Sequence, residues 1–415
     1  MYCTYLGVYT TTEEPHHFAM AVMGREQQAQ SVAPPISFGL LAANNVSREI
    51  GEFDHVFVEL ALNDNSDVEE DLRPARPSKY PAKTHARRVA KLLPSDSGLI
   101  YLVGATSELF EDSDMGPKLR QRRYFLYLSG VVDIPDCELL YSISDDHLTL
   151  YIPPLDSEKV LWSGMPLSPQ QCRRKYDVDT VYTTSSVSDH IAAYHKQNRT
   201  APIYFIHQQT SSIPLNIPKS LLDGTALQPA VDDCRVYKDP YEVSLIRRAN
   251  EISAAGHKLL MAAVKRARNE AELEAVFTAA CIRRQAKVQA YDPIIGAGRN
   301  AAFLHYMKNN EPTKGRQLLL ADCGAEWEGY ASDVTRTYPI SGCWTAEAAA
   351  IYNIVEEMQR ECIKRSVKGV DWRDTQLLAH RVALKGLLRL GIMKGDEEEI
   401  FAAGTTKAFF PHGIG

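Results

Sequence analysis

The sequence predicts two domains in series, a mixed α/β domain followed by an α+β domain. Three observations predict this. Residues 84–225 alternate short apolar, strand-like runs with helical ones. A proline-rich stretch at about 214–229 then interrupts the pattern. Beyond it, two pairs of helical segments flank a β-rich block at 290–342. The 415 residues, at ~150 per domain, are enough for two domains that each bury a core. The expected divisions are an irregular leader at 1–45, an N-terminal α/β domain at 46–230, and the second domain at 235–415.

Within the first domain, Val56–Leu62 reads as a strand, and the acidic, proline-bearing stretch 63–83 as a solvated connection. His85–Leu93 reads as a helix and Gly98–Gly104 as a buried strand bounded by glycines. Tyr124–Leu128, Glu138–Ile143 and Leu148–Ile152 read as further strands, with a hairpin turn at Asp145-Asp146. Thr180–Thr183 and Ile203–Ile206 complete the set, with a helix between them.

The second domain opens on Asp239-Pro240-Tyr241-Glu242. Asp is an N-cap, Pro sits in the first turn, and Glu three residues on closes a capping box. Leu245, Ala249, Ile252, Gly256, Leu259 and Ala263 then mark one buried helical face. Asn269 with Glu272 starts a second helix, and two more are expected at 346–366 and 372–390.

Composition excludes several classes. There are 52 acidic against 46 basic residues, a net charge of −6, so the chain lacks the basic field a nucleic acid or anionic membrane requires. No stretch reaches the ~20 apolar residues of a membrane span. The eight cysteines form no CxxC pair and no zinc spacing, and read as reduced thiols. The N-terminal residues show no basic segment followed by an apolar core, so a cytoplasmic location is expected.

Chemistry concentrates in LLLADCGAEWEGYASDVTRTYPISG, residues 318–342. Leu318–Cys323 and Tyr330–Ile340 read as antiparallel strands turning at Glu326–Gly329. That register sets Asp322 directly opposite Asp333, with side chains roughly 5 Å apart on one face. Opposed like charges are destabilising, and a shared divalent cation compensates for them. The plainer alternative is an aspartate facing water at a hairpin end. Thr335 and Thr337 share the face of Asp333, which favours a site, and Arg336 points the other way. Upstream, Gly296, Gly298 and Asn300 form a loop, and His305 follows on an apolar, strand-like segment. By residue type alone, His305 reads as a core histidine, and His412, in FFPHGIG, as an exposed one.

Three blocks in this order, YDPIIGAGRNAAFLHY, DCGAEWEGYASDVTRTYPISG and FFPHGIG, resemble the Xaa-Pro peptidase family of aminopeptidase P and prolidase, which has the pita-bread fold. KDPYEVSLIRRAN resembles the start of that family's catalytic domain, RQRRYFLYLSG a segment of its N-terminal domain, and YPAKTHARRVA its eukaryotic, especially fungal, branch. The resemblance covers roughly residues 50–415 and implies several things. Asp322 and Asp333 match two ligands of a dinuclear centre that holds two divalent metal ions, usually manganese. His305 matches a histidine of the substrate pocket, and His412 one that binds substrate and handles protons. The reaction implied is removal of the residue preceding a penultimate proline, with such peptides as substrates and a homo-oligomer, a dimer, as the assembly. A dipeptidase and a non-catalytic peptide-binding module are the alternatives. The family's remaining ligands, a histidine and two glutamates, would follow Gly415. The resemblance thus implies a catalytic domain incomplete at its C-terminal end and little peptidase activity from these 415 residues alone.

Overall fold

The computed structural model describes residues 79–206, 212–214, 216–410 and 412–413. The leader at 1–45 and the strand expected at Val56–Leu62 lie outside the described residues. The chain divides into two compact units. Among the described residues, one comprises those up to Ala249 with Glu326–Ala331, and the other Asn250–Ala325 with those from Ser332 onward.

The first unit is built on a six-stranded mixed sheet. In chain order it contains α1 (Ala82–Ala90), β1 (Leu99–Val103), α2 (Arg123–Ser129), β2 (Glu138–Ser142), β3 (His147–Ile152), α3 (Ser157–Ser163) and α4 (Pro169–Lys175). Then come β4 (Thr180–Thr183), α5 (Val187–Gln197), β5 (Ile203–Phe205), β6 (Leu222–Asp223) and α6 (Leu227–Val236). The strand order is β4-β3-β2-β1-β5-β6. The β1–β2 and β2–β3 pairs are antiparallel, and β3–β4, β1–β5 and β5–β6 are parallel. Strand β1 is buried along its whole length, as its unbroken apolar run requires. Tyr101, Leu140, Tyr151, Val187, Ile191 and Ile203 form the core on one face.

One expected element is of the wrong type. Tyr124–Leu128, read as a strand, lies within the helix α2. All residues from Phe125 to Ser129 are buried, so the run carries no polar positions from which a helical period could be read. Gly130, in the left-handed region at φ 69°, ends the helix and donates its N–H to the Leu126 carbonyl.

Helix α7 (Pro240–Ala263) begins with the anticipated capping box. The Glu242 N–H donates to Asp239 Oδ1 and the Asp239 N–H to Glu242 Oε2, each at 2.9 Å. The six periodic positions from Leu245 to Ala263 are all buried. In the second unit, α7 packs against α8 (Glu270–Arg283). A Cβ on Gly256 would stand 2.6 Å from the Phe277 ring, so that contact needs a glycine.

The chain continues through β7 (Ile294–Ala297), β8 (Leu318–Asp322), β9 (Glu326–Trp327), β10 (Tyr330–Ala331) and β11 (Thr335–Pro339). The β9–β10 hairpin belongs to the first unit. In the second, β8 is the centre of a three-stranded antiparallel sheet of order β11-β8-β7. Helices α9 (Ala346–Arg365) and α10 (Trp372–Arg389) pack on each other around Ile354, Met358, Ala379 and Ala383, followed by α11 (Glu397–Ala402). No helix among the described residues is long and apolar enough to cross a membrane.

Candidate metal centre

Asp322 ends the central strand β8, whose preceding residues Leu319 and Ala321 are fully buried. The strand's own apolar run thus carries the carboxylate to the edge of the core. Asp333 lies two residues before β11. The observed register corrects the expected one: Asp322 pairs with Thr335, not with Asp333. The chain reverses over the two residues Glu328 and Gly329, both at positive φ, rather than over the four-residue turn Glu326–Gly329. Moving the turn centre by one residue shifts every cross-strand pair by two. Side-chain direction has period two, so both aspartates keep the same face and become diagonal neighbours.

Tyr291 joins them. Its hydroxyl lies 2.7 Å from Asp333 Oδ1 and within hydrogen-bond distance of Asp322 Oδ1. Burial, and then the two carboxylates, push the Tyr291 hydroxyl far above its ordinary pKa, so it stays protonated and donates. It has one hydrogen to give and faces two carboxylate oxygens. Burial, and then the charge of Asp333, also raise the pKa of Asp322, against the hydroxyls of Tyr291 and Thr335. Three clustered oxygens therefore need a further positive partner, either a proton or a cation. Among the described residues neither aspartate forms an ion pair, and the all-oxygen set fits a hard divalent cation.

The backbone around the pair is held from behind. His257, on α7, directs Nε2 at the Cys323 carbonyl oxygen, 3.2 Å away, and Nδ1 at the Tyr338 hydroxyl, 3.1 Å away. Burial lowers its pKa to about 4, so at neutral pH the ring is uncharged. The Ser253 hydroxyl accepts the Ala325 N–H at 2.8 Å and meets the Ser332 hydroxyl at 2.7 Å. A Cβ on Gly324 would stand 1.9 Å from the Ser332 carbonyl oxygen, so the chain beside Asp333 closes only with glycine there.

The predicted histidines have other settings. His305 is exposed, and no strand runs through it. It follows the 3-10 turn Gly298–Ala302 on a loop that buried side chains, not a strand ladder, hold in place. His412 is exposed, with Nδ1 2.5 Å from the Gly413 carbonyl oxygen. The structure thus unites Asp322, Asp333, Thr335 and Tyr291. Tyr291 was missed by sequence reasoning because it precedes β7 in sequence and meets the aspartates only through the β7–β8 pairing. Its one local signal is its position just ahead of an Asp-Pro pair that leads into a strand. His257 was missed because it lies on the helical face read as core.

A second acidic group, in the first unit, brings His85, Asp239 and Glu242 within ligand distance of one another. Its oxygens are occupied. Asp239 and Glu242 cap α7, and His85 lies 2.7 Å from Asp239 Oδ2 while its other nitrogen faces the Tyr127 carbonyl oxygen. This is a helix cap with a buried imidazole behind it.

Comparison with known proteins identifies the family. Residues 244–415 match the model of metallopeptidase family M24, and residues 84–204 match the aminopeptidase P N-terminal domain. A probable Xaa-Pro aminopeptidase of Fusarium vanettenii is 47% identical over 350 residues, spanning 83% of this chain and 74% of the relative. One of Phaeosphaeria nodorum is 48% identical over 81% of this chain and 73% of its own length. Among solved structures, zinc-substituted Escherichia coli aminopeptidase P in complex with product superposes with a TM-score of 0.67 at 27% identity, over 81% of this chain and 80% of that one. Pseudomonas aeruginosa aminopeptidase PepP gives 0.69 at 27% identity, over 81% and 79%. The fold is therefore an aminopeptidase P-type N-terminal domain followed by a pita-bread domain. The chain belongs to metallopeptidase family M24, in the branch that carries an aminopeptidase P N-terminal domain and includes fungal Xaa-Pro aminopeptidases.

Proposed function

We propose that this chain acts as a metal-dependent Xaa-Pro aminopeptidase, removing the residue before a penultimate proline, with Asp322 and Asp333 as metal ligands. The observation that carries this is the face shared by the two half-buried aspartates, where Tyr291 supplies one hydrogen to two carboxylates. The likeness to curated Xaa-Pro aminopeptidases supplies the substrate class. The match to an aminopeptidase P N-terminal domain favours aminopeptidase over dipeptidase action.

Asp322 and Asp333 would hold the metal; when bound, a divalent ion supplies Lewis acidity at the scissile carbonyl and lowers the pKa of the attacking water. The chain's own residues do the rest. Tyr291 and Thr335 donate to carboxylate oxygens and fix their direction. His257 and Ser253 hold the backbone between the aspartates. In this reading His305 and His412 are donors to the peptide, placed for the oxyanion and for proton handling.

Two bound ions belong to the same reading, and the oxygen donors of Asp322 and Asp333 support a hard ion such as manganese. A cytoplasmic location is supported by the free thiols among the described cysteines. A homodimer is supported by α3, which buries none of its residues and leaves Leu161 86% and Trp162 77% exposed. The division of labour puts binding and catalysis in residues 235–415 and substrate-length control in 46–230.

The test is hydrolysis of Xaa-Pro-Xaa and Xaa-Pro peptides by the protein expressed from its full reading frame, with and without manganese. Manganese-dependent release of the first residue from the tripeptide, lost in Asp322→Asn, is expected. Undiminished cleavage by Asp322→Asn would overturn the assignment. Metal analysis checks the ion count, and sedimentation checks the dimer.

A further inference from the structure

Glu270 is a fully buried carboxylate, and the metal centre does not use it. It is the first residue of α8, directly after the N-cap Asn269. A buried charge without hydrogen bonds is prohibitively costly, so its partners show what it is for. Oε1 accepts the Ala297 N–H at 2.7 Å and the Asn300 side-chain amide at 3.0 Å. Oε2 accepts the Tyr306 hydroxyl at 2.8 Å and the Glu311 N–H at 3.0 Å. All four donors come from one segment, residues 297–311, which has no strand ladder of its own beyond Ala297.

That segment carries His305. Asn300 and Tyr306 bracket the histidine and bond to each other at 3.0 Å, closing a small loop over the carboxylate. A second clamp lies just beyond. Asn309, 2% exposed and at φ 44°, accepts the Ile295 N–H and donates to Glu274 on α8 and to the Pro293 carbonyl. Between the clamps the loop turns Phe303, His305 and Met307 outward, with Phe303 61% and Met307 58% exposed. The loop's polar backbone is tied down while alternate side chains remain free of the core.

We infer that Glu270 is a positioning residue for substrate binding, because its carboxylate anchors both sides of the loop that presents His305 and its apolar neighbour Phe303 to the peptide. The inference rests on the reading of His305 as a substrate contact. Fixing a donor before the ligand arrives reduces the ordering cost of binding, so loss of the anchor should appear mainly in KM. Glu270→Gln keeps the shape but puts an amide NH2 against donors on one side, breaking half of the anchor. Tyr306→Phe removes a single donor and serves if the first variant does not fold.

The experiment is steady-state kinetics of the metal-loaded, full-reading-frame protein on an Xaa-Pro-Xaa peptide, with amide hydrogen exchange on the same variants. Glu270→Gln is expected to raise KM roughly ten-fold with kcat within about two-fold. The double variant with His305→Ala should be no worse than the worse single one, since the two act as a unit. Exchange should accelerate at residues 297–311 and stay unchanged in β8. Multiplying losses in the double variant, or faster exchange throughout β8 and α7, would show a general fold residue and overturn the inference. An unchanged KM in His305→Ala would overturn the substrate reading of His305 itself. A raised KM there, with unchanged KM in both Glu270→Gln and Tyr306→Phe, would overturn this inference alone.

Discussion

The molecule contains two pairs of acids that look alike in composition and differ in what surrounds them. At Asp239 and Glu242, each carboxylate caps the first turn of α7 with one oxygen and meets a side-chain donor with the other: His85 for Asp239, and Tyr330 for Glu242. Burial works against Asp239, but the Glu242 amide and His85 hold its carboxyl below the ordinary range. At Asp322 and Asp333, a single phenolic hydrogen serves two carboxylates. Burial and the neighbouring charge push Asp322 up. The first pair is complete as folded. The second is held together at a cost that a cation would relieve, and that difference is why the proposal places the metal at the second pair and not at the first.

The largest test removes one charge from the strained pair. Asp322→Asn should lower metal affinity by more than ~10³-fold by calorimetry, while the metal-free protein melts at the same or a higher temperature because a repulsion is gone. A lowered metal-free melting temperature would show that the pair is already satisfied, and would break the contrast.

The next effect concerns the histidine behind the site. His257 has a folded pKa of about 4, below the 6.5 of an ordinary histidine. Between these values the unfolded chain binds more protons than the folded one, so stability falls as pH drops from about 6.5 to about 4. The loss is on the order of 3 kcal/mol. Denaturant titrations across that window should show the slope, and His257→Gln should flatten it.

Tyr291→Phe sharpens the comparison by removing the one shared donor. Metal affinity should fall by roughly 10–100-fold, as for other groups that orient ligands, with little change in melting temperature. The smallest effect is expected at the completed pair. Asp239→Asn keeps a capping oxygen and should cost about 1 kcal/mol through its weakened contact with His85, leaving metal binding unchanged. An effect of Asp239→Asn on metal affinity would mean that the two pairs are coupled.

Legibility followed the range of the interaction. The α7 cap was readable because its partners are three residues apart, and the buried face of that helix because its period repeats over six positions. Helices α9 and α10 came within a residue of their expected limits for the same reason. Helix α2 was misread because full burial erases the polar half of the pattern. The aspartates were placed on one face correctly even though their pairing was off by two, since face depends only on parity. Tyr291 and Glu270 were not legible. Each acts on residues it meets only after distant strands and loops have come together.

The sequence by itself determined the two-part organisation, the shared face of the two aspartates and the family blocks, because these rest on local periodicity, capping chemistry and residue spacing along one chain. Tertiary structure alone decided which residue stands between the aspartates, which buried acid anchors the loop of His305, and which acid cluster is already satisfied. Those outcomes depend on the burial and the count of donors around each oxygen, and both exist only once the chain has folded.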